Sequence, residues 1–138
     1  MKSKVLLIED NEQNRYLATF LLEKHGYTVV SAPDGPAGIE LAGTVKPVLI
    51  LLDIQLPLMD GYAVARELRS NPVLRDVPII AVTSFAMVGD REKSLAAGCN
   101  GYLEKPINPD TFLQQIEEHL LQKRCAEETG NENHFSGR

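Results

Sequence analysis

The apolar residues of this chain fall into two rhythms. Unbroken runs stand at Val5-Leu6-Leu7-Ile8, Val48-Leu49-Ile50-Leu51-Leu52 and Ile79-Ile80-Ala81-Val82. A strand with one wet face alternates apolar and polar residues, so these runs predict strands covered on both faces. Weaker strands are predicted from Tyr27 to Ala32 and from Gly101 to Glu104. Between the runs the spacing turns helical: Leu17/Leu21 and Ala18/Leu22, then Ala37, Leu41 and Val45, then Val64/Leu68, and last Phe112, Ile116 and Leu120. A fourth helix with a thin apolar stripe is predicted over Asp90 to Ala97. Gly26 and Gly98 read as helix stops, and Asn108-Pro109-Asp110 as an N-cap with proline at the first helical position. Strand and helix thus alternate five times. Right-handed βα units place helices on both sides of a parallel sheet, so the expected fold is α/β, a doubly wound five-stranded parallel sheet with five helices. No repeat exists beyond that alternation.

Composition narrows the function more than the fold. The chain has 138 residues, 43% hydrophobic and 24% charged, which suits one soluble domain with a core of its own. From Cys125 onward the sequence is polar and aperiodic, so a domain over 1–124 and a disordered tail over 125–138 are expected. The two cysteines, Cys99 and Cys125, are too few for a disulfide framework or a zinc site and suit a reducing, cytoplasmic setting. No apolar run approaches the roughly 20 residues of a membrane span, and the start lacks the pattern of a signal peptide. A net charge of -5 disfavours nucleic acid. Neither nucleic acid nor membrane is an expected partner.

Open parallel sheets build their sites beyond the carboxyl ends of the strands. Glu9 and Asp10 follow the first run, Asp53 the third, Thr83 and Ser84 the fourth, and Lys105 with Pro106 the fifth. Taken singly, each has a structural reading as a cap, a turn or a strand stop. Taken together, they converge on one edge of the sheet. Two carboxylates about 5 Å apart repel by about 3 kcal/mol at an effective dielectric near 20. Three together need a bound cation, the Lys105 ammonium, or a raised pKa. All-oxygen ligation selects a hard ion such as magnesium, and no His or Cys stands at these strand ends.

These residues carry a resemblance. Val5-Leu6-Leu7-Ile8-Glu9-Asp10-Asn11, Leu52-Asp53-Ile54-Gln55-Leu56-Pro57 with Asp60-Gly61, Ala81-Val82-Thr83, and Gly101-Tyr102-Leu103-Glu104-Lys105-Pro106 resemble the receiver domains of two-component response regulators. The likeness runs from about Lys4 to Lys123. Phe85-Ala86-Met87 with Gly89-Asp90 is most similar to stand-alone regulators of the DivK kind and to receivers of hybrid kinases. The resemblance implies that Asp53 is a phosphoacceptor, fed by a phosphohistidine on a histidine kinase or phosphotransfer protein. It implies Mg2+, or Mn2+, held by Glu9, Asp10, Asp53 and the backbone carbonyl of Gln55. It makes Lys105 and Thr83 the phosphoryl contacts, with small Ser84 leaving access, and Tyr102 the switch aromatic on the face of the fourth helix, fifth strand and fifth helix. It also implies a cis Lys105-Pro106 peptide.

Gln55 and Phe85 would flank the path of a hydrolytic water, and the bulk of Phe85 predicts slow loss of the phosphoryl group. Asn14, Arg15, Pro106 and Ile107 are the expected kinase-facing surface, with a solvated helix start as the alternative for the first two. Asp34-Gly35 reads as a turn, His25 as a helix-end cation, and Cys99 as a small core residue. The expected function is a phosphorylation-operated switch, not an enzyme, acting on an unknown downstream protein by contact and without an output domain; dimerisation on phosphorylation is left open. The alternatives are a receiver cut from a hybrid kinase or longer regulator, a magnesium-dependent phosphohydrolase, which needs a second Asp where Gln55 stands, and a flavodoxin-like nucleotide binder. The last would need a Gly- or Thr-rich loop where Glu9-Asp10-Asn11-Glu12 repels phosphate.

Overall fold

The computed structural model describes residues 3–84 and 89–121. Strand β1 (Lys4–Ile8) leads into α1 (Glu12–Lys24), β2 (Thr28–Ala32) into α2 (Gly35–Val45), and β3 (Leu49–Asp53) into α3 (Gly61–Arg69). A short 3-10 turn, Pro72–Leu74, precedes β4 (Ile79–Thr83), α4 (Asp90–Ala96), β5 (Gly101–Glu104) and a fifth helix, α5, over 112–121. All five strands pair in parallel in the order β2-β1-β3-β4-β5.

The unbroken apolar runs are explained by two cores, one on each face of the sheet. Leu6, Ile8, Ile50, Leu52, Ile79 and Ala81 point to one side, against Ala42 of α2 and Val64, Ala65 and Leu68 of α3. Val5, Leu7, Leu49, Leu51, Ile80 and Val82 point to the other, against Ala18, Leu21 and Leu22 of α1 and Phe112 and Ile116 of α5. Successive side chains alternate between faces, so a strand with helices on both sides has no polar position to spare. The two edge strands are the weakly patterned ones. Residues 28 to 31 of β2 are half-buried or exposed, and Tyr102 and Glu104 of β5 face outward in part.

Helix ends follow local chemistry. Gly26 and Gly98 adopt the left-handed backbone after α1 and α4, at φ 94° and 109°, as their stop role requires. Asp34 does more than turn the chain: its Oδ1 accepts the Ala37 amide at 2.9 Å and caps α2. Asn108 accepts the Asp110 amide with its side chain and the Phe112 amide with its carbonyl, but residues 109–111 form a turn and the helix proper starts at 112. His25 ends α1 with Nδ1 against the Leu21 carbonyl at 3.1 Å. Cys99 is buried, and burial pushes its thiol up to about 11, which leaves it an inert core residue.

Candidate phosphoacceptor site

The register brings the strand ends level. Ile8 pairs with Leu52, Asp53 with Val82, and Thr83 with Glu104, so the residues that follow meet at one edge. The order reverses at β1, whose neighbours β2 and β3 lie on opposite sides, and the crevice opens at that switch point. Gly61 lets α3 start hard against it. A Cβ there would lie 2.5 Å from the Ile54 Cα and 2.9 Å from the Asp53 carbonyl oxygen.

The capping readings of the strand-end residues do not hold, whereas Asp53 does make a local turn bond to the Gln55 amide. Asn11, not Glu9 or Asp10, caps α1: its Oδ1 accepts the Asn14 amide at 2.9 Å. Thr83 and Ser84 do not cap α4, whose N-cap is Gly89 with no side-chain bond. The carboxylates of Glu9, Asp10 and Asp53 instead offer oxygens that all lie within 4.8 Å of one another, with Glu9 and Asp53 buried and Asp10 exposed. Lys105 Nζ stands between the two buried ones, 3.1 Å from Glu9 Oε1 and 3.2 Å from Asp53 Oδ2. Asp53 Oδ1 accepts the Gln55 amide at 2.9 Å, and Glu9 Oε2 the Asn11 amide at 3.2 Å.

One ammonium against two buried carboxylates leaves negative charge in excess. Burial first, and then the neighbouring Glu9 charge, raise the Asp53 carboxyl to about 7, against the opposing pull of Lys105 and the Gln55 amide. Two of the three remedies that charge crowding demanded are therefore present at once, a lysine and a raised pKa. The third, a cation, is what the donor set fits: clustered carboxylate oxygens, one of them open to water, suit a hard ion that keeps part of its hydration shell.

The remaining predicted residues are distributed around this centre. Thr83 is buried, and its carbonyl accepts the Lys105 amide at 2.8 Å; the Lys105-Pro106 peptide is cis. Tyr102 is half-buried against the α2/α3-side core. Asn14 and Arg15 open α1 beside the crevice, and Arg15 is more than a solvated helix start, since Nη1 donates to the Glu9 carbonyl at 3.0 Å. Pro106 is exposed and Ile107 half-buried in the β5–α5 loop. Phe85 and the predicted tail, 125–138, lie outside the described residues.

Two features escaped the sequence reading. The Gln55 side chain bridges to β4, donating from Nε2 to Thr83 Oγ1 at 2.6 Å and accepting the Ser84 amide on Oε1 at 3.1 Å. At the opposite end of the sheet, Arg69 threads under the chain. Its Nε donates to the Gly98 carbonyl at 2.9 Å, Nη1 to Leu74 and Val77 at 2.8 and 2.7 Å, and Nη2 to Asn100 Oδ1. An arginine with basic company in a helix's last turn signals only a surface charge.

Comparison with known proteins agrees with the geometry. The family model described as "Response regulator receiver domain" matches residues 5–117. The polar-differentiation response regulator DivK of Brucella anthropi is 41% identical over 120 residues, covering 87% of this chain and 98% of its own length. A CheY-like receiver domain protein from Methanospirillum hungatei superposes with a TM-score of 0.84 at 27% identity, covering 91% of this chain and 99% of that one. The receiver domain of a sensor histidine kinase from Pseudomonas aeruginosa, solved with a magnesium ion coordinated in its active-site cleft, gives 0.80 at 37% identity, covering 87% and 98%. Among the described residues no helix is long and apolar enough to cross a membrane. With its fold, its strand-end carboxylates and these likenesses in agreement, the chain belongs to the response regulator receiver domain family.

Proposed function

We propose that this chain is a phosphorylation-operated switch in which Asp53 accepts a phosphoryl group from a phosphohistidine on a histidine kinase or phosphotransfer protein. The observation that carries the reading is the Asp53 carboxylate itself. It is buried, held on one oxygen by the Gln55 amide and on the other by Lys105, and ringed by Glu9 and Asp10. An Asp53 oxygen attacks phosphorus, the phosphorus–nitrogen bond breaks, and its electron pair returns to the donor imidazole. Glu9, Asp10, Asp53 and the Gln55 carbonyl would hold Mg2+ or Mn2+, which would supply positive charge where carboxylate and phosphoryl group otherwise repel. The magnesium in the Pseudomonas relative's cleft supports that choice.

The chain's own residues do the rest. The Gln55 amide fixes the rotation of the attacking carboxylate. Lys105 moves from sharing two carboxylates to pairing with a phosphoryl oxygen, a charge-assisted contact. Thr83 supplies a hydroxyl to another oxygen, and Ser84 keeps the approach open. The added charge of about -1.5 to -2 draws Thr83 inward, Tyr102 follows, and the α4–β5–α5 face presents the change to a downstream protein. Asn14, Arg15, Pro106 and Ile107 border the crevice and form the surface that receives the donor. Turnover is confined to gain and loss of the one phosphoryl group, so the protein acts as a switch and not as an enzyme on a separate substrate.

Intact mass after incubation with acetyl phosphate and magnesium tests the reading. One phosphoryl adduct is expected on the wild type and none on Asp53→Asn. An adduct that persists in the variant places the acceptor elsewhere, and no adduct with any donor overturns the proposal.

A further inference from the structure

The two edges of the sheet are unlike. At one edge β5 is four residues long, starts on Gly101, and runs through exposed Glu104 into the cis Lys105-Pro106 peptide. Short length, charge, glycine and proline are what keep an open edge from pairing with another chain. At the other edge β2 reads Thr28-Val29-Val30-Ser31-Ala32, with no charge, glycine or proline, and it pairs with β1 alone. The ends of that ladder show which way its backbone groups point. Thr28 donates its amide to the Ser3 carbonyl at 2.8 Å, and the Ala32 carbonyl accepts the Glu9 amide at 3.0 Å. Backbone groups alternate sides along a strand, so residues 28, 30 and 32 face β1, while Val29 and Ser31 turn both N–H and C=O to the open side.

Such a row of donors and acceptors is a template for another strand, and this one is its own complement. Two β2 strands laid antiparallel about a two-fold axis at Val30 set Val29 of one copy opposite Ser31 of the other, and each such pair exchanges both backbone bonds. Val30 meets its own copy at the axis, where no bond is called for, because its groups already face β1. No like charges meet across the strands, since β2 carries none, and the exposed Ser31 side chain is too small to stand over the open groups. The axis runs perpendicular to the sheet. It therefore places α1, which packs on β2 from one face, beside its copy, and α2 beside its copy on the other face. We infer that β2 is the pairing edge of this protein and that its occupant is a second copy of the chain, joined through Val29 and Ser31 into one sheet continuous across the two copies. The inference stands apart from the reading of Asp53.

Sedimentation equilibrium of the full chain in reducing buffer tests it. A few exchanged backbone bonds set against the entropy of association give a dissociation constant on the order of 0.1–1 mM. The chain should thus be mostly monomeric at about 10 μM and at least half dimeric at about 1 mM. Ser31→Pro deletes an outward N–H from each copy and no bond to β1, so it should weaken the dimer at least tenfold and leave the urea midpoint within roughly 10%. Cross-linking reads the register. At the axis the two Val30 Cα atoms would lie about 4.5 Å apart, within disulfide reach, whereas those of Ser31 would lie about 8 Å apart. In a Cys125→Ser chain oxidised with copper–phenanthroline, Val30→Cys should therefore form disulfide dimers at least tenfold faster than Ser31→Cys; Cys99 is buried and stays out of the reaction. A wild type still monomeric at about 1 mM leaves the edge to another protein's strand or to none, and overturns the inference. So does a dimer that survives Ser31→Pro, or one that cross-links no faster through Val30→Cys than through Ser31→Cys, since either places the interface elsewhere. If Ser31→Pro fails to fold, the cross-linking pair decides alone.

Discussion

The two ends of the sheet solve opposite electrostatic problems. At the amino ends of the strands one cation, Arg69, is surrounded by neutral acceptors: the carbonyls of Leu74, Val77 and Gly98 and the side chain of Asn100. Asn100 in turn bonds the Ile79 amide and pins the start of β4 to the start of β5. Each group there has what it needs, and the network holds α3, the 3-10 turn, β4 and β5 together. At the carboxyl ends one cation, Lys105, faces two buried carboxylates with a third nearby. That end is under-neutralised, and the excess raises the Asp53 carboxyl toward neutrality. A cluster built only for stability resembles the first; one prepared to receive positive charge or lose negative charge resembles the second.

The comparison breaks most visibly at Arg69. Arg69→Met strands several partly buried carbonyls without donors, and a loss of about 3–5 kcal/mol in urea denaturation is expected. Arg69→Lys should recover less than half of it, because one ammonium cannot reach Gly98 on one side and Leu74 and Val77 on the other. Neither loss should vary between pH 5 and 8, since the acceptors do not titrate. A loss below about 1 kcal/mol would show the network to be ornamental.

Lys105→Met tests the other end and should behave differently. Removing the ammonium leaves Glu9 and Asp53 repelling each other with backbone amides but without that counter-charge, at a cost of about 2–3 kcal/mol at pH 8 in chelator-containing buffer. Carboxyls relieve such strain by taking up protons, so most of the cost should vanish at pH 5. A deficit of equal size at both pH values would assign it to the packing of the lysine's alkyl stem.

The same contrast explains what could be read from the sequence. The unbroken runs Val5–Ile8, Val48–Leu52 and Ile79–Val82 announce their place in the sheet because covering both faces forbids a polar residue along a strand, although Val48 itself precedes β3 and is exposed. Strand ends in a parallel sheet meet by topology alone, so Glu9, Asp10, Asp53 and Lys105 could be gathered without coordinates. Arg69 could not be. Its role depends on carbonyls, which every residue has and no sequence pattern marks, and on a left-handed turn at Gly98 that aims one of them. The Gln55 side chain was legible only as a position two residues past Asp53; its bridge to Thr83 and Ser84 depends on a rotamer and on how close β3 and β4 end. The 3-10 turn at Pro72–Leu74 was missed for a related reason, being capped by Asn71, which accepts the Val73 amide, rather than signalled by periodicity.

The smallest expected effect is the most specific to the site's excess charge. Asp53 titrates near 7 in the fold and near 4 when unfolded. Between those values the folded state holds a proton that the unfolded chain has released, so the wild type gains stability as pH falls from 7 toward 4 and loses it as pH rises through 7. Asn cannot ionise and mimics the protonated acid, so Asp53→Asn should match the wild type near pH 4 and exceed it above pH 7. Water reaching the cluster past exposed Asp10 screens the repulsion, which limits the gain at pH 8 to about 1–2 kcal/mol. Urea titrations of both proteins in chelator at pH 4.5, 6 and 8 measure the difference. If Asp53 is a ligand as proposed, magnesium should shrink the difference at pH 8 by stabilising the wild type more than the variant. If Asp53→Asn is instead the less stable protein at pH 8, the Lys105–Asp53 attraction outweighs the crowding, and this end of the sheet is as well satisfied as the other.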